Sequence, residues 1–262
     1  MPRASRRSAG RDKARGRARI TLSEDDGVRY LHFGTQWVQG GMRIARPFKL
    51  ELSYQQQMMA LALFVEAPHR ILQLGLGAAA LTKFCWRTLA EARVTAVELS
   101  AEVIDTARQW FALPPDDDRL TVVQDDARDH LAGLARSARA DWLQVDLYDA
   151  AARGPVYDDE RFYVMCRGAL RRGGVACFNL FGSRFDPSFL AICRAFDDRV
   201  LAGPEVDEGN RVVYALTGPR VDLPADVFAD RAARLETAWR LPFRRWWRDL
   251  QQGNDLGERV RL

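Results

Sequence analysis

The chain has 262 residues, of which 47% are apolar and 28% are charged, a composition typical of a soluble globular protein. No apolar run reaches the ~18–20 residues of a membrane span, and the N-terminus lacks the apolar stretch of a secretory signal. We therefore expect a cytoplasmic protein with no membrane partner. The four cysteines and three histidines are scattered along the chain, which predicts buried free thiols and no metal site.

The net charge of +4 is distributed unevenly. Residues 1–19 hold eight basic residues and one acid, so this arm carries +7 and the rest of the chain carries −3. The arm has no apolar periodicity and is predicted to be disordered. A nucleic-acid partner is expected only through this basic arm, which contains no aromatic residue for stacking on bases.

A small β-unit is predicted next, over residues 20–50. Val28–Phe33 and Trp37–Ile44 are short apolar runs separated by turn glycines, a pattern typical of antiparallel strands. After Pro47 the apolar residues recur at helical spacing, which predicts a helix from Leu52 to Phe64.

Strands and helices then alternate regularly. The apolar runs predict strands at residues 71–74, 94–97, 120–123, 142–145 and 175–181. The helical periodicities predict helices at residues 79–89, 101–111, 127–134, 159–170 and 187–196. Gly173-Gly174 is interpreted as the stop of the fourth of these helices. This alternation indicates a parallel sheet with helices on both faces.

The end of the alternating region is different. Val200–Val206 and Arg211–Leu216 are interpreted as two strands joined by the turn Asp207–Asn210, which predicts an antiparallel edge. A dinucleotide-binding sheet usually finishes with parallel strands, whereas a methyltransferase-type sheet has a seventh strand inserted antiparallel. We therefore predict an α/β fold. Its doubly wound, mostly parallel seven-stranded sheet, Rossmann-like and of the S-adenosylmethionine-dependent methyltransferase type, spans residues 51–220.

A C-terminal helical extension is predicted over residues 221–262, interrupted at Pro242. It carries four large aromatic residues, namely Trp239, Phe243, Trp246 and Trp247. Packing against the sheet is the preferred interpretation of these side chains, and a subunit contact is the alternative.

Ligands of open α/β sheets bind at the carboxyl ends of the strands, so the residues after each strand are the candidate site. Gly75 and Gly77 begin a G-x-G-x-x-A pattern that lets the backbone approach a ligand. Glu98 follows the second strand and can accept both ribose hydroxyls of an adenosine cofactor. A tight strand-to-helix turn is the simpler explanation for the glycines, and a solvated strand-end acid is the simpler explanation for Glu98. The two motifs together fit nicotinamide and sulfonium cofactors alike.

Acidic residues also follow the next two strands. Asp126, which precedes Ala127, can accept from an adenine amino group, or it can cap the following helix. Asp146 and Asp149 lie three residues apart on one loop at the mouth of the sheet. Such a pair is suited to a cationic ligand, and helix capping or solvation is the alternative.

These motifs, in this order, resemble the spermidine synthase family of polyamine aminopropyltransferases, from about Tyr30 to Gly218. Leu52–Gln55 resembles the segment in which the family's Tyr faces the polyamine and its Gln the nucleoside, here Tyr54 and Gln55. The other matched segments are Gly75–Ala80 at the glycine-rich run, Glu98 at the ribose acid, Asp126-Ala127 at the adenine-binding D-G, and Asp146–Asp149 at the D-S-S-D-P motif.

Departures from the family pattern affect the amine contacts. Ala78 stands where the family has the Asp that holds the amino group of the donor's aminopropyl arm. Leu147-Tyr148 replaces the hydroxyl pair between the two loop carboxylates, and Ala150 replaces the following Pro. The resemblance therefore implies a divergent member of the family.

The resemblance implies transfer of an aminopropyl group from decarboxylated S-adenosylmethionine to a small diamine or polyamine, by a homodimer and without a metal. Asp146 would take the proton of the attacking amine, and Asp149 would hold its distal ammonium. Glu98 and Asp126 would fix the nucleoside.

Three other functions remain open. A methyltransferase that uses S-adenosylmethionine itself is favoured by Ala78, which removes the carboxylate selective for the decarboxylated donor. A non-catalytic nucleoside-binding protein, attached to nucleic acid through its arm, is the second. A nicotinamide-dependent oxidoreductase is the third, and the terminal hairpin argues against it.

Overall fold

The computed structural model describes residues 20–148, 155–182, 185–206 and 209–262. The predicted basic arm, Asp149 and the start of the predicted turn at Asp207 lie outside these residues. Among the described residues no helix combines the length and the apolarity needed to cross a membrane.

A three-stranded antiparallel sheet opens the described chain. Its strands are β1 (Ile20–Asp25), β2 (Val28–Phe33) and β3 (Gly40–Arg43), in that spatial order. Asp26 and Gly27 both have positive φ, so they form the two-residue turn that matches the twist of a β-hairpin. We call these three strands the N-terminal sheet.

The predicted helix over 52–64 is only half α-helical. It begins as α1 (Ser53–Met58) and continues as a 3-10 helix over Met59–Leu63, whose five residues are all buried. This segment is buried on every side, so it does not show the single apolar stripe of a surface helix. Its hydrogen bonds follow the tighter 3-10 pattern.

The alternating region follows the predicted order. Its strands are β4 (Arg70–Leu74), β5 (Arg93–Glu98), β6 (Leu120–Gln124), β7 (Ala140–Val145), β8 (Leu170–Phe181), β9 (Val200–Glu205) and β10 (Asn210–Leu216). The helices between them are α2 (Ala80–Thr88), α3 (Ala101–Trp110), α4 (Ala127–Gly133), α5 (Glu160–Gly168) and α6 (Phe185–Ala195), with a 3-10 turn at Arg136–Ala138.

The seven strands form one sheet in the order β6-β5-β4-β7-β8-β10-β9. β10 pairs antiparallel with both β8 and β9, whereas the pairs from β6 to β8 are parallel. The predicted doubly wound sheet with an inserted antiparallel strand is confirmed. Its winding direction reverses at β4, so the carboxyl ends of β4 and β7 flank the crevice where such sheets bind ligands.

The interpretation of Gly173-Gly174 as a helix stop is wrong. Helix α5 ends at Gly168, and both glycines lie inside β8. Gly173 has a φ of +84°, and a Cβ on Gly174 would lie 3.1 Å from the carbonyl oxygen of Ala140. Gly173 thus suits a left-handed backbone conformation inside β8, and Gly174 lies where β8 passes close to β7.

The C-terminal extension packs against the sheet, as the sequence predicts. It contains β11 (Asp222–Pro224), α7 (Ala225–Trp239), α8 (Phe243–Gly253) and β12 (Arg259–Arg261), and β11 pairs antiparallel with β12. Trp246 and Trp247 are 7% and 3% exposed and belong to one core with the buried segment after α1. A second core on the opposite face contains α4, α5 and α6.

Candidate active site

A cavity of about 1640 Å³ lies at the carboxyl ends of the central strands. Backbone hydrogen bonds continue the sheet into the loops around it: Asp146 N donates to Leu74 O, and Gly75 N donates to Val97 O, both over 2.9 Å. The strand-end residues of β4, β5 and β7 therefore meet at one rim, although they are far apart in the sequence.

The glycine-rich loop lies at this rim of the cavity. Gly75, Gly77 and Ala79 have φ values of +94°, +51° and +55°, so alternate residues adopt the left-handed region. A Cβ on Gly75 would collide with the carbonyl oxygen of Asp146, which explains why only glycine fits there. Gly75 and Gly77 both line the cavity, which leaves their backbone open to a ligand.

Glu98 joins the end of β5 to the glycine-rich loop. Its Oε2 accepts from Leu76 N over 3.1 Å, and its Oε1 accepts from Ser100 N over 2.9 Å. Burial raises the pKa of Glu98, and these backbone donors oppose that rise. Glu98 is thus not a freely solvated acid. It lines the cavity, and backbone donors from Leu76, Leu99 and Ser100 hold its carboxylate in one orientation.

Asp126 caps a helix, which is one of the two roles considered for it, and it also faces the cavity. Its Oδ1 accepts from Arg128 N over 2.8 Å, so it caps α4, and its Oδ2 accepts from the Tyr157 hydroxyl over 2.5 Å. The cap does not remove it from the site, because Asp126 and Ala127 both line the cavity.

Asp146 lies at the centre of a buried polar cluster after β7. Its Oδ1 accepts from Asn179 Nδ2 over 2.9 Å, and the Tyr54 hydroxyl also hydrogen-bonds to it. Asn179 Oδ1 in turn accepts from Asn210 Nδ2 over 3.0 Å. Burial raises the pKa of Asp146, and the bonds from Asn179 and Tyr54 lower it. The cavity therefore contains a carboxylate that is poorly solvated and held in one orientation.

Tyr54 and Gln55 face different surroundings. Tyr54 lines the cavity, and burial raises its pKa well above the ordinary value. Gln55 is 4% exposed and does not line the cavity; its Nε2 donates to Tyr54 Oη over 3.2 Å. Its Oε1 is buried without a hydrogen-bond partner among the described residues. Contact between Gln55 and a nucleoside stays a prediction.

Asn179 and Asn210 are site residues that sequence reasoning missed. Both line the cavity, on β8 and at the start of β10. The available signal was a single amide inside the apolar run Val175–Phe181, since a polar side chain in a buried strand requires a partner.

The described residues contain no cluster of three or more His, Cys, Asp or Glu side chains placed to hold a metal ion. No family model matches the chain. The chain is 30% identical over 237 residues to the polyamine aminopropyltransferase of Chromobacterium violaceum, and the match covers 90% of both proteins.

The chain belongs to the polyamine aminopropyltransferase family. It is also 29% identical over 238 residues to the polyamine aminopropyltransferase of Neisseria meningitidis serogroup A, again over 90% of both proteins. A probable spermidine synthase from Corynebacterium glutamicum has the same fold, with a TM-score of 0.65 and 22% identity over 75% of this chain and 76% of that one.

Family membership makes the environment of Ala78 informative. Ala78 is 1% exposed and packs with Leu31, Met42 and Phe111 in a small core beneath the N-terminal sheet. A Cβ on Gly40 would lie 2.7 Å from the Ala78 Cβ. The family resemblance places a carboxylate at this position. Here the N-terminal sheet packs directly against Ala78, and Ala78 does not line the cavity.

Proposed function

We propose that this protein transfers the aminopropyl group of decarboxylated S-adenosylmethionine to a small diamine or polyamine. The observation that carries the proposal is the oriented, poorly solvated carboxylate of Asp146 beside the glycine-rich loop, in one cavity with Glu98 and Asp126. This arrangement supports a base for an amine beside acids suited to a nucleoside.

The chemical difficulty lies with the nucleophile. A primary amine with a pKa near 10.4 is mostly protonated at neutral pH, which costs about 4–5 kcal/mol in available free base. Asp146 accepts this proton, which frees the nitrogen lone pair to attack the propyl carbon next to the sulfonium. The new C–N bond forms as the C–S bond breaks, and the sulfur leaves as a neutral thioether.

The other strand-end residues hold the two substrates. Glu98 accepts the ribose hydroxyls, and Asp126 with Ala127 receives the adenine, while the backbone at Gly75 and Gly77 approaches the donor. Gln55 supports the nucleoside from behind Tyr54, and Tyr54 faces the amine. Asp149 holds the distal ammonium, so that the near nitrogen lies in line with the carbon.

We also propose how the chain is organised for this reaction. The basic arm of residues 1–19, the β-unit of residues 20–50, the nucleoside-binding domain of residues 51–220 and the helical extension of residues 221–262 form one protomer of a cytoplasmic homodimer that needs no metal. Gel filtration with light scattering tests the dimer.

The test of the activity is direct. The purified protein is incubated with decarboxylated S-adenosylmethionine and a series of diamines and polyamines, and methylthioadenosine is measured by chromatography. We expect methylthioadenosine to appear only when both donor and amine are present. Absence of the product with every amine would reject the activity.

Methyl transfer from S-adenosylmethionine is the second candidate, because Ala78 and Gly40 leave no room for the carboxylate that would select the decarboxylated arm. Isothermal titration calorimetry with the two donors discriminates between the candidates. Aminopropyl transfer requires tighter binding of the decarboxylated donor, and methyl transfer requires the reverse.

A further inference from the structure

A line of polar side chains runs from the last strand of the sheet to Asp146. Asn210 Nδ2 donates to Asn179 Oδ1, and Asn179 Nδ2 donates to Asp146 Oδ1. Asn179 and Asn210 are 3% and 8% exposed, so protein partners replace most of their hydration. The roles proposed above assign nothing to either asparagine.

The chemistry of the acceptor fixes the direction of these bonds. An ionised carboxylate only accepts hydrogen bonds, so Asn179 must turn its amino group towards Asp146 and its oxygen towards Asn210. Both N–H groups then point towards Asp146. Aligned in this way, each amide dipole strengthens the next bond and favours negative charge on Asp146 Oδ1.

We propose that Asn210 and Asn179 form an amide relay that orients Asp146 and keeps it ionised for proton transfer, an inference that rests on the proposed function. Asn179 touches Asp146, and Asn210 acts through Asn179. Both are therefore positioning residues.

No other described neighbour supplies this stabilisation through charge. The titratable groups that interact with Asp146 are Tyr54 on α1, Tyr148 on the loop after β7 and Cys177 on β8. Burial raises the pKa of all three, so each is neutral at physiological pH. Hydrogen bonds, and not a counter-charge, oppose the desolvation of this carboxylate.

Tyr148 ties the amide relay to a feature particular to this chain. Its hydroxyl donates to the backbone oxygen of Asn179 over 3.1 Å, and it hydrogen-bonds to the Asn210 side chain. Tyr148 stands where the family resemblance places a small hydroxyl residue. The larger tyrosine side chain reaches from the loop to both asparagines. The replacement of the hydroxyl residue by Tyr148 and the amide relay therefore form one structural unit.

The test measures the ionisation of Asp146 directly. Wild type, Asn179→Leu and Asn210→Leu are labelled with ¹³C-carboxyl aspartate and titrated by infrared difference spectroscopy, with the Asp146 band identified by its loss in Asp146→Asn. A hydrogen bond to a charged group shifts a pKa by about 1–2 units, so we expect a rise of that size in Asn179→Leu. We expect a smaller rise in Asn210→Leu.

The kinetic readout follows from the same shift. The acidic limb of the pH profile of kcat/KM should move to higher pH in both variants, while the KM for the nucleoside donor stays unchanged. Asn254→Leu is the matched control, because Asn254 bonds to the backbone of Ala202 and Leu250 and does not line the cavity. It should lower stability and leave the Asp146 titration unchanged.

The outcomes separate the two proposals. An unchanged Asp146 titration in folded Asn179→Leu overturns the amide relay. A shifted titration in a protein that transfers aminopropyl to no amine overturns the proposed function and leaves the amide relay standing. Asn179→Ser and Asn210→Ser each keep a hydroxyl donor and serve if the leucine variants do not fold. The serine side chain is shorter than that of asparagine, so a rise in the pKa of Asp146 in either serine variant supports the amide relay, and no rise in either overturns it.

Discussion

The carbonyl oxygen of Asp146 occupies the space in which a side chain on Gly75 would begin. This contact joins the loop after β7 to the loop after β4, the two strands on either side of the point where the sheet reverses its winding. The candidate base and the glycine-rich loop are thus parts of one packed unit, and a change in one must move the other.

Gly75→Ala should disrupt this unit. An alanine at a left-handed φ costs about 1–2 kcal/mol, and the collision with Asp146 adds to that cost. We expect a lower free energy of unfolding in urea and weaker binding of the nucleoside donor. Gly133→Ala is the matched control, because nothing lies within 4 Å of a Cβ there. Equal stability of the two variants would contradict the packing described for Gly75.

Asp146→Asn should remove the proposed base while keeping its size. Proton transfer by a positioned side chain contributes about 10²–10⁴-fold, so we expect kcat for aminopropyl transfer to fall within this range. Calorimetry should show nearly unchanged binding of the donor. Asp105→Asn changes an exposed acid on α3 and should keep the wild-type rate. Undiminished turnover in Asp146→Asn would eliminate this residue as the base.

Glu98→Gln should weaken the binding of the donor. The amide has a single acceptor oxygen, so it cannot serve Leu76 N, Ser100 N and two ribose hydroxyls together. Loss of a charge-assisted hydrogen bond weakens binding by about tenfold or more. We expect this increase in the dissociation constant by calorimetry. Glu91→Gln, at an exposed position before β5, should bind as the wild type does.

Lys83 should make stability depend on pH. It is 1% exposed and donates to Phe111 O, and burial lowers its pKa to about 7 from 10.5. Between these values the unfolded chain binds more protons than the folded one, so the free energy of unfolding rises with pH. This stabilisation is complete above about pH 10.5 and is lost as the pH falls towards 7.

Urea unfolding of the wild type, Lys83→Met and Lys49→Met at several pH values between 7 and 10 measures this dependence. We expect Lys83→Met to remove a slope of up to about 1.4 kcal/mol per pH unit. Lys49 is exposed, so Lys49→Met should keep the wild-type slope. The same slope in all three proteins would show that Lys83 is not the titrating group.

The order of strands and helices could be predicted because each element has its own local sequence pattern. Each apolar run and each helical periodicity is short enough to be recognised alone, and the hairpin of β9 and β10 distinguishes this fold from a dinucleotide-binding sheet. Strand β1 was missed as a separate element, although Asp26-Gly27 is a strong hairpin signal. Its strand, Ile20–Asp25, has few apolar residues and is mostly exposed.

The site could be predicted only where it lies at strand ends. Glu98, Asp126 and Asp146 follow their strands directly, so the topology alone brings them to one cavity. The contacts of Asn179 and Asn210 could not be predicted, because they depend on β10 being inserted beside β8. The burial of Ala78 depends on how the N-terminal sheet packs, which no local pattern specifies.

The place of β10 in the chain also determines when the surroundings of Asp146 are completed during protein synthesis. Asn179 lies 33 residues after Asp146, and Asn210 lies another 31 residues further along the chain. Glu98 and Asp126, the acids proposed to bind the nucleoside, therefore leave the ribosome well before the strand that completes the surroundings of Asp146. The residues proposed to bind the donor are therefore synthesised early, and the residues that surround Asp146 are completed last.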